Sequence, residues 1–336
     1  MSSLKAHQTV PPSAGLGVGA TPAAWDEFTS PGGGSRPRRD RPSESSKRLF
    51  ARLSMIRLPG QVIRLIELAI EEDLGTGDLT SEALLDDDLK GRAIIEAREP
   101  LICCGLEVAR EVFGRIEPGL VFTSLRAEGE AVAAGDTLAE VEGLMKALLA
   151  GERTALNFLQ RTCGVATLSR RYALIASGRT VVLDSRKTVP GWRWLDKMAV
   201  RTGGCTNHRM GLYDGVLIKD NHVAACGGIG KAVKKARCNV PEGIEIEVEV
   251  DDLDGLEEAL SSGAQTVLLD NFTPEEVARA VRICEGRARL EVSGGIGLDN
   301  IGAYLDAAKV DYISVGALTH SVQAMDIAME IVADGP

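Results

Sequence analysis

From Thr180 onward the chain falls into short apolar runs, nearly all closing on a charged residue, a serine or a glycine. They read TVVLDSRK, GVLIKDN, IEIEVEV, TVLLDN, RLEVSGG and YISVGA. Each is rich in Val, Ile and Leu, as strands buried on both faces are. Segments of helical length separate several of them, so the pattern predicts parallel strands joined by helical crossovers. If such a sheet curls into an α/β barrel, the C-terminal strand ends open into one mouth. Arg186, Lys187, Lys219, Glu249, Asp270 and Ser293, dispersed in sequence, then meet at one site.

The preceding text has a different grain. Leu58 to Glu72 carries Val62, Ile63, Ile66, Ala69 and Ile70 at helical spacing. From Gly91 to Glu142 short strands and turns are expected, with alternation over Arg92 to Arg98 and a hairpin over GEAVAAGDTLAEVEG. An Ala/Leu-rich helix starts at Met145, with Gly151 and Gly164 as expected breaks, and a second helix covers Thr167 to Ile175. The stretch GDTLAEVE resembles part of a lipoyl- or biotinyl-carrier domain. However, Lys146 lies in helical sequence and not at an exposed turn, which favours an unmodified sandwich. Residues 1 to 55 are rich in Pro, Gly, Ser and Arg without an apolar period, and read as a disordered extension or an over-long start assignment ahead of Met55.

Charge narrows the function classes. A formal net charge of −10 argues against a general nucleic-acid or anionic-membrane binder, and no apolar stretch is long enough to span a bilayer. The seven cysteines lack zinc-like pairing and read as reduced, mostly buried thiols of a cytoplasmic protein, with organelle targeting by the extension as the alternative. Against this background Asp184 to His222 holds seven Lys/Arg (186, 187, 193, 197, 201, 209, 219) and four Asp (184, 196, 214, 220). A basic cluster in an acidic chain suggests a pocket for a polyanionic small molecule. Arg186 and Lys187 directly follow a buried strand and are expected to leave it at the mouth, because unpaired charge inside the sheet costs several kcal/mol by order of magnitude. Arg193, Lys197 and Arg201, at i, i+4 and i+8, read as a solvated helix face. Arg209 lies in a loop, and His208 beside it reads equally as a ligand contact or a loop histidine. Asp220 and His222 are expected to brace the loop after Lys219.

Glu245, Glu247 and Glu249 alternate and so share one strand face. If that face is the barrel interior, it demands partners such as Lys or Arg from neighbouring strands, while Glu245 also reads as part of a solvated edge strand. Glu249 and Asp270, opposing several cations, suit ribose hydroxyls and a magnesium ion. Glycines after the last two strands, in Ser293-Gly294-Gly295 and at Gly316-Ala317, allow backbone N–H groups to approach a phosphate.

With these residues placed, the chain resembles the quinolinate phosphoribosyltransferase family. The matching stretches are EDLGTGDLT, ERTALNFLQRTCGVAT, DSRKTVPGWRWLDKMAVRTGG, NHRMGLYDGVLIKDNH, IEVEV, VLLDNF, SGGI and ISVGALTHS, in family order from about Leu58 to the C-terminus. The resemblance implies an N-terminal α/β sandwich domain (56–165, with a linking helix) and an incomplete parallel α/β barrel (166–336). It implies transfer from 5-phosphoribosyl 1-pyrophosphate to quinolinate with loss of CO2, giving nicotinate mononucleotide and pyrophosphate, with Mg²⁺ required. Carried over by resemblance, Arg153, Arg186, His208, Arg209 and Lys219 hold the quinolinate carboxylates, and Lys187 sits near the diphosphate. Glu249 and Asp270 hold the ribose and the metal, and Ser293 to Gly295 with Gly316 and Ala317 bind the 5′-phosphate. The Arg153 equivalent comes from a neighbouring subunit, so a homodimer is implied. Ser185 and Val189 stand where the family often has threonine, and Cys205-Thr206 fill a variable loop position. The alternatives are a paralogue with another acceptor, a nicotinate-using phosphoribosyltransferase, and a non-catalytic phosphosugar-binding barrel.

Overall fold

The computed structural model describes residues 58–332; the N-terminal extension, Met55 included, lies outside the described residues. The first apolar period forms helix α1 (Gly60–Leu74), with Val62 and Ile66 buried. In the polar turn that follows, the Asp78 carboxylate accepts from the backbone N–H groups of Thr80 and Ser81 at 3.0 and 3.1 Å and starts α2 (Leu79–Leu84).

Next come β1 (Lys90–Ala97), β2 (Leu101–Ile102), α3 (Leu106–Ile116), β3 (Val121–Ser124), β4 (Ala131–Val132) and β5 (Thr137–Leu144). Along β1 the alternation holds, with Ala93, Ile95 and Ala97 buried. The expected hairpin does not form. β5 is flanked on both edges by antiparallel β1 and β3, so it offers no edge to β4, which pairs with β2 instead. The turn between β4 and β5 is present, closed by the Asp136 N–H donating to the Ala133 carbonyl at 3.1 Å.

Helix α4 (Met145–Ala176) runs unbroken for 32 residues where two helices were expected. Its glycines permit close packing and do not interrupt it. A Cβ on Gly164 would lie 2.3 Å from the Gln323 carbonyl oxygen, and one on Gly151 would lie 2.6 Å from the Phe113 ring. Lys146, in the first turn, is held by Asp87 at 2.6 Å and Glu82 at 3.1 Å.

The second half alternates as predicted. It contains β6 (Val181–Leu183), α5 (Arg193–Gly203), β7 (Val216–Ile218), α6 (Asp220–Cys226), α7 (Ile229–Asn239), β8 (Ile246–Val250) and α8 (Leu253–Ser261). These are followed by β9 (Thr266–Asp270), α9 (Pro274–Cys284), β10 (Arg289–Ser293), α10 (Ile301–Ala307), β11 (Tyr312–Ser314), α11 (Ala317–His320) and β12 (Ile327–Val332). Six strands pair in parallel in the order β6-β11-β10-β9-β8-β7, an incomplete barrel with a seam between β6 and β7. The last strand leaves the barrel: β12 pairs antiparallel with β1 and completes the sheet β12-β1-β5-β3.

Register sorts the barrel strands into two faces. Val248, Val267, Leu290 and, one step on, Leu269, Val292 and Ile313 are level with one another and buried. The alternate face carries Glu247 opposite Thr266, and Glu291 opposite Leu268; the three polar residues are buried. The sheet is therefore apolar on one face only.

Candidate active site

At the mouth, Lys219 leaves β7 one residue past the register pair Ile218–Val248, which sets it level with Glu249. Its Nζ contacts Glu249 Oε2. The neighbouring strand ends interlock. Asp270 lies opposite Ser293, the Asn271 N–H donates to the Ser293 carbonyl at 2.9 Å, and Asn271 Nδ2 donates to Asp270 Oδ2 at 2.8 Å. Gly294 has φ 98, and a Cβ there would lie 2.3 Å from Asn271 Oδ1, so only glycine fits. Gly295 borders open space. Lys187 crosses to the end of β11, its Cδ 3.3 Å from the position of a Cβ on Gly316, and its carbonyl accepts from Thr319 Oγ1 at 2.9 Å. The lysine side chain thus lies beside Gly316 and Ala317. As expected, His222 braces the turn after β7, its Nδ1 accepting from the Lys219 N–H at 3.0 Å.

The seam supplies the other half. Thr206 bridges Leu183 in parallel, and its N–H reaches the Val182 carbonyl at 2.9 Å. That places Asn207, His208 and Arg209 beside the end of β6. The buried Asp184 carboxylate accepts the His208 N–H at 2.8 Å and Asn207 Nδ2 at 2.7 Å, and it contacts Lys197 Nζ. Lys197 in turn donates to the His208 carbonyl at 2.9 Å. The solvated face expected for α5 is therefore corrected. Lys197 is 2% exposed, and Arg193 turns inward to Thr188 Oγ1 at 3.1 Å and to the Arg186 and Met210 carbonyls, both at 3.3 Å, while Arg201 stays exposed. Burial raises the pKa of Asp184 and lowers that of Lys197, and their mutual attraction offsets this only in part. Beside this pair, Arg161 of α4 binds the buried Asp196 of α5 through two hydrogen bonds of 3.1 Å.

Two guanidiniums meet at the seam. Arg209 Nη1 donates to the Gly215 carbonyl at 2.9 Å, and burial together with the nearby Arg186 charge lowers its pKa. Arg186 Nε is buried with no hydrogen-bond partner. Among the described residues neither arginine is in an ion pair, though the charges of Glu247 and Asp214 offset part of the burial cost of Arg209, and the exposed Lys187 is unpaired as well. This is an electrostatic deficit that a carboxylate or phosphate would fill.

The barrel interior below holds His208, Glu247 and Glu291, whose ligand-type atoms all lie within 4.8 Å of one another. His208 Nε2 is 3.0 Å from Glu247 Oε2 and 3.7 Å from Glu291 Oε2, while Nδ1 accepts the Arg209 N–H at 2.7 Å. Burial disfavours the imidazolium, but the hydrogen bond to Glu247 and the charges of Glu291 and Glu247 outweigh it and raise the His208 pKa. Burial, then the Glu247 charge, pushes Glu291 up to about 8. At the far end of the strands Glu245 meets Arg289 at 2.6 Å and Thr266 Oγ1 at 2.7 Å. The partners of the three alternating glutamates are thus the cations Arg289 and Lys219 for Glu245 and Glu249, and the His208 imidazole for Glu247.

The mouth and seam gather Arg186, Lys187, His208, Arg209, Lys219, Glu249, Asp270, Ser293, Gly294, Gly295, Gly316 and Ala317. Arg153 is not among them: it lies on α4 with its side chain 57% exposed and Glu152 3.8 Å away. Asp184, Lys197 and Asn207 hold the seam loop and Glu291 lies beside His208; none was read from sequence as part of the site, and Lys197 was expected on a solvated face. The one available signal was Asp184 itself, a carboxylate at the end of a buried strand that needs a counter-charge.

Two family models cover most of the chain: the quinolinate phosphoribosyl transferase N-terminal domain over residues 78–163 and its C-terminal domain over 165–330. A Bacillus subtilis protein named probable nicotinate-nucleotide pyrophosphorylase [carboxylating] is 39% identical over 272 residues, 81% of this chain and 93% of that one. An Arabidopsis thaliana nicotinate-nucleotide pyrophosphorylase [carboxylating], named as chloroplastic, is 39% identical, covering 79% and 81%. The solved nicotinate-nucleotide pyrophosphorylase from Francisella tularensis superposes with a TM-score of 0.78 at 39% identity, over 82% of this chain and 98% of that one.

Proposed function

The chain belongs to the quinolinate phosphoribosyltransferase family and catalyses phosphoribosyl transfer with decarboxylation in NAD biosynthesis, and from that premise we propose how its mouth and seam divide the work. The observation that carries the reading is the pair of neighbouring guanidiniums, Arg186 and Arg209, neither of which is in an ion pair among the described residues. Together with Lys219 they form the acceptor subsite for the dianionic quinolinate, with His208 packed behind. Glu249 and Asp270 face the ribose of 5-phosphoribosyl 1-pyrophosphate. The backbone of Ser293 to Gly295, Gly316 and Ala317 receives its 5′-phosphate, and Lys187 receives the diphosphate.

These charges act by preorganised electrostatics. As the bond from C1 to pyrophosphate lengthens, positive charge grows on the sugar and negative charge on the leaving group. Glu249 and Asp270 favour the first, and Lys187 the second. The carboxylate oxygens of Glu249 and Asp270 suit a hard cation such as Mg²⁺, which would add positive charge at the diphosphate. N-glycosylation leaves a pyridinium that accepts the electron pair released when the 2-carboxylate departs as CO2, so no covalent nucleophile is needed.

Arg153 supports a homodimer in this proposal: exposed on α4, it would complete the acceptor subsite of a second copy. Exposed leucines on the first two helices, Leu68, Leu79 and Leu84 at 60, 83 and 75%, suit the same contact. Among the described residues no helix is long and apolar enough to cross a membrane, and a cytoplasmic enzyme is the proposed setting. The test is incubation with quinolinate, 5-phosphoribosyl 1-pyrophosphate and Mg²⁺, with nicotinate mononucleotide and CO2 as the expected products. Product formation from nicotinate without CO2 release would overturn the acceptor assignment.

A further inference from the structure

We propose that Glu247 and Glu291 are positioning residues that hold His208 as its Nε2–H tautomer and, through His208 Nδ1, fix the backbone of Arg209 at the acceptor subsite. The inference rests on the acceptor role assigned to Arg209 above.

In the neutral ring the hydrogen-bond geometry fits one arrangement of protons. A backbone N–H is always a donor, so the 2.7 Å contact from the Arg209 N–H makes His208 Nδ1 an acceptor. The ring proton then sits on Nε2 and points at Glu247 Oε2, 3.0 Å away. Glu247 is itself flanked by Glu291, and both are buried in the barrel interior. Each has a buried Oε1 atom with no hydrogen-bond partner. The contacts of Glu247 and Glu291 with His208 Nε2, and of His208 Nδ1 with the Arg209 N–H, therefore link the barrel interior to the loop that presents the guanidinium.

The same contact argues against a metal ion in this cluster, although its three ligand atoms are close together. A metal on Nε2 would force the ring proton onto Nδ1, against the Arg209 N–H. The arrangement also differs from the Asp184–Lys197 support on the other side of the loop. That pair grips the main-chain N–H and C=O of His208, whereas the glutamates grip its ring.

The test uses the full-length enzyme with steady-state kinetics in both substrates. Glu247→Ala is expected to raise the KM for quinolinate roughly tenfold or more, with the KM for 5-phosphoribosyl 1-pyrophosphate little changed, since displacing one positioned group by about 1 Å is enough for such losses. Glu247→Gln, whose carbonyl oxygen still accepts from Nε2–H, should recover most of the loss, and Glu291→Gln should outperform Glu291→Ala in the same way. Nitrogen-15 NMR of the imidazoles gives a readout that a merely structural role would not move. The chain has four histidines, and His208, assigned by its own replacement, should report the Nε2–H tautomer in the wild type and lose it in Glu247→Ala. If Glu247→Ala does not fold, Glu247→Gln and the wild-type tautomer carry the test. An Nδ1–H tautomer, a stoichiometric metal displaced from His208, or an unchanged quinolinate KM in Glu247→Ala overturns the proposal. An unchanged quinolinate KM in Arg209→Ala overturns the acceptor reading instead.

Discussion

Replacing Lys197 by methionine separates what the buried pair contributes to stability from what it contributes to the site. The Lys197 and Asp184 side chains are 3% and 0% exposed. Methionine has nearly the volume of lysine but no charge, so Asp184 is left as a buried carboxylate with hydrogen bonds only from the His208 N–H and Asn207 Nδ2. Breaking a buried pair by removing one partner costs about 3–5 kcal/mol. That loss should appear as a large shift in the urea unfolding midpoint at neutral pH.

The second variant isolates the charge. Asp184→Asn combined with Lys197→Met removes the stranded carboxylate while an amide oxygen still accepts the His208 N–H. Because burial already works against both charges, the double variant should be more stable than Lys197→Met alone by about 1–3 kcal/mol. Stability and activity then part company. In both variants the His208 carbonyl has lost its donor, so both should show a raised KM for quinolinate. Strictly additive effects of the two replacements, or a midpoint unmoved by Lys197→Met, would refute the reasoning.

Three further outcomes follow from other parts of the site. Lys219→Ala should lower kcat by at least about a hundredfold and move stability by only about 1 kcal/mol, since the side chain is 43% exposed; unchanged turnover would remove it from the mechanism. Gly294→Ala, at φ 98 and against Asn271 Oδ1, should cost about 1–3 kcal/mol and raise the KM for 5-phosphoribosyl 1-pyrophosphate more than that for quinolinate, as steady-state kinetics in each substrate would show. Glu291 has its pKa raised from 4.5 to about 8 in the folded chain, so its stabilising proton is fully present below pH 4.5 and is lost as pH rises toward 8. Glu291→Gln keeps no such dependence, so its stability relative to wild type should increase from pH 5 to pH 8; parallel denaturation curves at the two pH values would contradict this.

The residues that were legible in the sequence share a position. Arg186, Lys187, Lys219, Glu249 and Asp270 each lie at or just beyond the end of a short buried strand, where a charged side chain must leave the sheet, and all are found at the mouth or seam. The unread residues are of two kinds: Asp184 and Asn207 lie in loops whose partners are distant in sequence, and Lys197 and Glu291 lie inside elements. Lys197 sits mid-helix with Arg193 and Arg201 at solvent-like spacing, and only the packing of α5 against α4 and the seam buries it. The hairpin and helix-break readings failed for a related reason. Gly151 and Gly164 look the same in sequence whether a helix ends there or a neighbour packs closely, and the pairing of β5 with both β1 and β3 is non-local.

A barrel lined by Glu247, Thr266, Glu291 and Ser314 does not follow from apolar runs, because the runs report only the face beneath the helices. Filling that interior with Val and Leu would be simpler energetically, since buried charges gain little once desolvated. What the polar interior provides is direction. A hydrocarbon floor cannot orient an imidazole, whereas Glu247 accepts along one line from Nε2 and leaves Nδ1 with one donor to meet. The acidic interior also bears on Arg209: the charge of Glu247, with that of Asp214, opposes the repulsion from Arg186, so two guanidiniums can stand together without a direct ion pair among the described residues.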